Sequence, residues 1–173
     1  GTVPEPAHES SDLDEDPVVH RAGDRMLIVT YGRVLEEVLA AADELAQQGI
    51  RAEVTELVRL YPLGAELAHQ IADAGRPVMF VEEHVESGSI GLHFLGLLRT
   101  AGSVPWSHLC IRNPTVAHAT LAEQWDMAGL SRRHIVTAAL AVLGAQFSRE
   151  FPAATLCTRA TVASDRPSAV IQE

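Results

Sequence analysis

The sequence predicts an α/β fold: a three-layer sandwich in which a mainly parallel sheet of four or five strands lies between two layers of helices. Three observations carry this reading. Short apolar runs alternate with helical patterns from Met26 to Leu143, the connections are too long for hairpins, and glycine or proline marks most of the boundaries. A strand covered on both faces needs unbroken apolar character, and a strand, helix, strand order implies right-handed crossovers. Strand order does not follow from these patterns.

Met26-Leu27-Ile28-Val29-Thr30, bounded by Gly23-Asp24 and Tyr31-Gly32, reads as the first strand. A helix follows, with Val34, Leu35, Val38, Leu39, Ala42 and Leu45 inward and Glu36, Glu37, Asp43, Glu44 and Gln47 outward, and Gly49 stops it. Ala52 to Leu57 is the second strand and Tyr61-Pro62-Leu63-Gly64 its exit turn. The next helix buries Leu63, Leu67, Ala68, Ile71 and Ala72 and closes at Gly75 and Pro77.

The organising stretch is Val78 to Phe94. An apolar strand stops at Glu82 and Glu83, and a loop punctuated by Gly88 and Gly91 leads into an apolar helix from Ile90 to Leu98. Loops at the carboxyl ends of parallel strands are where ligands or partners meet such sheets. Apolar residues surround that helix rather than forming one stripe, so Phe94 and Leu98 are expected to exceed what the sheet can cover and to meet a partner; burial inside the domain is the competing expectation. Leu109-Cys110-Ile111 is a short fourth strand, Asn113-Pro114-Thr115 breaks the chain, and Thr120 to Ala128 forms a short helix ending at Gly129. Ser131 is placed as N-cap of a last helix burying Ile135, Val136, Ala139, Leu140 and Leu143.

A chain of 173 residues suits one domain. The expected division is a disordered acidic tail over 1–22, the domain over 23–146 and a mostly disordered tail over 147–173. Glu5, Glu9, Asp12, Asp14, Glu15 and Asp16 carry much of a net charge of −10. That charge argues against a nucleic-acid partner, which needs clustered Lys or Arg. No apolar run reaches the length of about 18 residues that a membrane helix needs, and the start lacks the features of a secretory signal. The expected compartment is cytoplasmic, with Cys110 and Cys157 reduced bystanders.

Glu82 and Glu83 raise the possibility of an acid and base pair, but neighbours on a strand point to opposite faces, so hydrogen bonds pinning the loop are expected instead. His84, His93 and His118 match no short zinc spacing. Gly88-Ser89-Ile90-Gly91 at a helix start could bind an anion; with Glu82, Glu83 and Glu86 beside it, close backbone packing explains the glycines better. No catalytic, cofactor-binding or metal residue is assigned.

Leu27 to Gly32, Val81 to Gly91 and Asn113 to His118, with the Ala128-Gly129-Leu130-Ser131 close leading to Ile135, resemble the C-terminal domain of the transketolase family, in the branch of transketolases and 1-deoxy-D-xylulose-5-phosphate synthases. Beta subunits of 2-oxo acid dehydrogenases share the first two motifs but usually lack the others. The motif positions carried over as structural or interface residues are Glu82, Glu83, His84, Gly88, Gly91, Phe94, Leu98 and His118. Gly64, Ser89, Ala119 and the residue after Pro114 depart from the family pattern. The resemblance implies thiamine diphosphate and Mg2+ in the complete enzyme, held by domains that precede this one. Gly23-Asp24-Arg25 does not match the family's Gly-Asp-Gly cofactor motif, so this chain alone is expected to bind no cofactor.

Two functions are therefore expected in competition. One is an assembly module or split subunit that joins catalytic thiamine diphosphate-binding domains, as a homodimer or hetero-oligomer. The other is a free-standing ligand-binding or regulatory module that kept the fold without enzyme activity.

Overall fold

The computed structural model describes residues 17–112 and 118–147. Their elements are β1 Val18–Arg21, β2 Met26–Thr30, α1 Leu35–Gln47, β3 Ala52–Glu56, α2 Ala65–Ala74, β4 Val78–Val85, α3 Ile90–Ala101, β5 Trp106–Ile111, α4 Leu121–Ala128 and α5 Arg132–Phe147. The expectations for residues 1–16 and 148–173, and for the break at Asn113-Pro114-Thr115, lie outside the described residues.

One sheet runs β1-β3-β2-β4-β5. The pairs β2/β3, β2/β4 and β4/β5 are parallel, and β1 alone is antiparallel, to β3. Strand alternation divides the core in two. Met26, Ile28, Met79 and Val81 face α1, α4 and α5, where Val38, Leu45, Trp125 and Ile135 cover them. Leu27, Val29, Val78 and Phe80 face α2 and α3, where Ile71, Phe94 and Leu98 cover them. This is the three-layer arrangement that the apolar runs imply.

Local chemistry sets the helix ends. Gly75 and Gly129 stop α2 and α4 in the left-handed region, at φ 63° and 75°. Thr120 and Glu123 form a reciprocal capping box at the start of α4.

Several expectations need correction. Val18–Arg21, expected to lie in the disordered tail, form a strand: β1 pairs with β3 through Val18 and Glu56, and Val19 and Thr55, and covers an edge that would otherwise be open. Arg21 and Asp43 add an ion pair at 2.6 Å. At the other end α5 reaches Phe147. The organising strand does not stop at Glu82, because β4 runs through both carboxylates to Val85. The fourth expected strand starts earlier, at Trp106. Leu140 is exposed, and Val142 takes the inward position on α5. Ser131 precedes α5, and its hydroxyl meets the side chains of Asp126 and His134 at 2.9 and 2.8 Å.

The largest correction concerns α3. Phe94 and Leu98 are 1% and 2% exposed, so they belong to the core and present no surface to a partner. The Phe80 and Phe94 rings lie 5.5 Å apart between centroids. Of the helix's large apolar residues Leu92 is the one left exposed. Burial inside the domain, the competing expectation, is what the structure shows.

Candidate functional site

The chain winds outward from β2 to β3 and then returns to place β4 on the other side of β2. In open α/β sheets the crevice at such a reversal, beyond the strands' carboxyl ends, is the usual ligand position. Here side chains meet across it. Tyr31, just after β2, donates its hydroxyl hydrogen to Glu82 Oε2 at 2.8 Å. Glu82 is fully buried on β4, and its Oε1 accepts from the Gly91 amide at 3.0 Å and from His108 Nε2 at 2.6 Å. One carboxylate thus ties the end of β2, β4, the first turn of α3 and β5.

Electrostatics follow from this geometry. Burial works to raise the Glu82 pKa, but hydrogen bonds from His108 and Tyr31 outweigh it and hold the carboxyl below its usual value. Burial, then the hydrogen bond to Glu82 and its charge, push the Tyr31 phenol well above its usual range. Tyr31 therefore remains a donor at physiological pH. An ionised carboxylate only accepts, so His108 donates from Nε2, and Nδ1 is not engaged by Glu82.

Glu83 points to the opposite face, as alternation requires. Arg33 grips it in bidentate fashion at 2.7 and 2.6 Å, and this hydrogen bonding holds its pKa below the usual carboxylate value. The two glutamates share no proton, and each fastens β4 to the segment after β2. His84 is exposed, with Nδ1 2.8 Å from its neighbour's carbonyl, Val85 O. Gly88 adopts φ 78°, and Ser89 caps α3 by accepting from the Leu92 amide at 3.2 Å. The serine at this departure from the family pattern is therefore a helix cap.

Gly91 has a packing role. A Cβ there would fall 2.5 Å from His108 Nε2 and 2.6 Å from Glu82 Oε1. Close backbone packing, expected for this loop, is what the geometry demands. Phe94 and Leu98 lie beneath it in the core, whereas His118 is exposed and joins none of these contacts. The sequence reading missed His108 and gave Tyr31 no role. The available signal was alternation on β5, which puts His108 and Cys110 on one face.

Mg2+ requires oxygen ligands, and Asp24 of Gly23-Asp24-Arg25 is exposed and pairs with Arg51. Among the described residues the one cluster of three metal-type donors is Glu86, His108 and Cys110, whose nitrogen and sulfur suit softer ions than Mg2+.

The family model for the transketolase C-terminal domain matches residues 16–135. Curated relatives include transketolase-like protein 2 of Mus musculus, 31% identical over 134 residues, which cover 76% of this chain and 21% of that protein. The 1-deoxy-D-xylulose-5-phosphate synthase of Geobacillus thermodenitrificans is 26% identical over 130 residues, 72% of this chain and 21% of that protein. The chain thus spans about a fifth of the length of these relatives. Among solved structures, a split-gene transketolase described as an inactive beta4 tetramer superimposes with a TM-score of 0.69 at 25% identity, over 75% of this chain and 43% of that one. A transketolase from Pichia stipitis shares the fold, with a TM-score of 0.58 over 79% of this chain and 19% of that one, at 15% identity. The match begins just before β1 and takes in the five strands, the Glu82 fastening and the turn into α5, and on it the chain belongs to the transketolase C-terminal domain family.

Proposed function

We propose that this chain is the assembly module of a thiamine diphosphate-dependent, transketolase-like enzyme and performs no catalytic step itself. The complete enzyme transfers a two-carbon ketol unit, or decarboxylates pyruvate and adds the product to an aldehyde phosphate. The carrying observation is one of extent: the family match takes in nearly all of the described fold, yet corresponds to about a fifth of the relatives' length. The cofactor is left to domains outside this match. The internal use of Glu82 and Glu83 supports the same reading, because both carboxylates are spent on holding the fold.

The resemblance to the split-gene protein favours a partner subunit that carries the cofactor domains. Val58 and Tyr61, on the connection from β3 to α2, are 51% and 82% exposed and offer apolar surface for such docking. No helix among the described residues is long and apolar enough to cross a membrane; we place the enzyme in the cytoplasm. The test is reconstitution: the purified chain is mixed with a subunit bearing the cofactor domains and followed by sedimentation and ketol-transfer assay. Complex formation with activity that depends on both components is expected. A chain that stays apart from that subunit would overturn the reading.

A further inference from the structure

We propose that Glu86, His108 and Cys110 form a binding site for a divalent metal ion of the zinc class, at the carboxyl ends of β4 and β5. Their ligand atoms all lie within 4.8 Å of one another. The site is independent of the assembly role.

The backbone prepares the constellation. His108 and Cys110 occupy alternate positions on β5, so both project to one side, and both are buried. The Glu86 amide donates to the Ile111 carbonyl at 3.2 Å, which fixes the residue after β4 against the end of β5. Glu82 then does for His108 what outer carboxylates do for metal-binding histidines: it accepts a hydrogen bond from Nε2 at 2.6 Å, orients the ring and leaves Nδ1 for a ligand.

The remaining distance is small. A tetrahedral zinc centre, with Zn–N and Zn–O near 2.0 Å and Zn–S near 2.3 Å, separates its ligand atoms by roughly 3.5 Å. Glu86 is exposed and its side chain can turn inward. Its present partner, Arg112, is 3.6 Å away across an exposed ion pair, which contributes little to stability. A cavity of about 230 Å³ borders Glu86 and His108 and is also lined by Arg99, Trp106 and Arg112. It leaves room for water as the fourth ligand. Three protein ligands of mixed N, O and S type with one open position favour Zn2+ over Mg2+ or Ca2+. On binding, the Cys110 thiol forms a sulfur–metal bond and its proton passes to buffer, so affinity rises with pH.

Co2+ is the probe, because a cobalt–thiolate bond gives a near-ultraviolet charge-transfer band. The full chain, first stripped with a chelator, is titrated with Co2+ and then Zn2+, and circular dichroism checks the fold of each variant. One equivalent of Co2+ with a thiolate band, displaced by Zn2+, is expected. Cys110→Ser should abolish the band. Loss of even an outer partner of a ligating histidine costs about 10–100-fold in affinity, so Glu86→Gln, an exposed change that keeps the fold, should weaken binding by about 100-fold. The proposal is overturned if the unmutated chain gives no band. It is equally overturned if the band survives in Cys110→Ser, which would place the thiolate on Cys157, or if Glu86→Gln binds as the unmutated chain does.

Discussion

His108 Nε2 lies 2.6 Å from Glu82 Oε1, and the two residues stand on neighbouring parallel strands, 26 positions apart in the chain. With Tyr31 and the Gly91 amide on the same carboxylate, this contact joins four segments that the chain visits at separate times. Glu82→Ala would leave these donors, of which the Gly91 amide and His108 are buried, without their acceptor, at about 1–3 kcal/mol for each buried unsatisfied group. A loss of about 3 kcal/mol or more is expected in urea unfolding. A loss below about 1 kcal/mol would show that the carboxylate is not a fastening point.

The same carboxylate makes stability depend on pH. Folding lowers the Glu82 pKa, so the folded state favours the ionised form. That contribution is complete above the unfolded-state value of about 4.3 and is lost as pH falls through the lower folded value. Urea midpoints should therefore drop as the solution is acidified from about pH 5, and Glu82→Gln should flatten part of that slope. An unchanged slope in the variant would assign the acid sensitivity to other groups, such as Glu83 with Arg33.

Two glycines in one helix separate packing from propensity. Gly91→Ala forces a Cβ against His108 and Glu82, whereas Gly96→Ala meets nothing within 4 Å. The first should destabilise by about 1–3 kcal/mol. The second should stabilise by up to about 1 kcal/mol, since alanine is the better helix former. Equal effects in thermal unfolding would contradict the geometry at Gly91.

Much of the fold is legible in the sequence because its physics is local. The apolar runs of β2 and β4, the inward stripe of α1, and the stops at Gly75 and Gly129 all express period or backbone conformation within about a dozen residues. β1 was not legible: Val18 and Val19 remain 43% and 55% exposed, and the strand exists because β3 offers it an edge. His108 was hidden for a related reason, since its partner lies on another strand. Alternation correctly separated Glu82 from Glu83, but it could not say what each would meet. On α3, the apolar excess read as an interface is absorbed by Phe80, α2 and the sheet.

That correction moves the expected docking surface. Phe94→Ala should cost about 3–5 kcal/mol as a core truncation and say nothing specific about association. Tyr61→Glu, at a side chain far more exposed, should leave the unfolding midpoint nearly unchanged and weaken binding to the cofactor-bearing subunit in sedimentation. Undiminished binding would remove the connection from β3 to α2 as the docking surface.

The central claim, that this module depends on other domains for the cofactor, is tested most directly by calorimetric titration of the isolated chain with thiamine diphosphate and Mg2+. No saturable heat is expected from the chain alone, and cofactor binding should appear when the subunit bearing the cofactor domains is added. Micromolar binding to the isolated chain would contradict the account, because it would mean that this fold holds the cofactor with residues of its own.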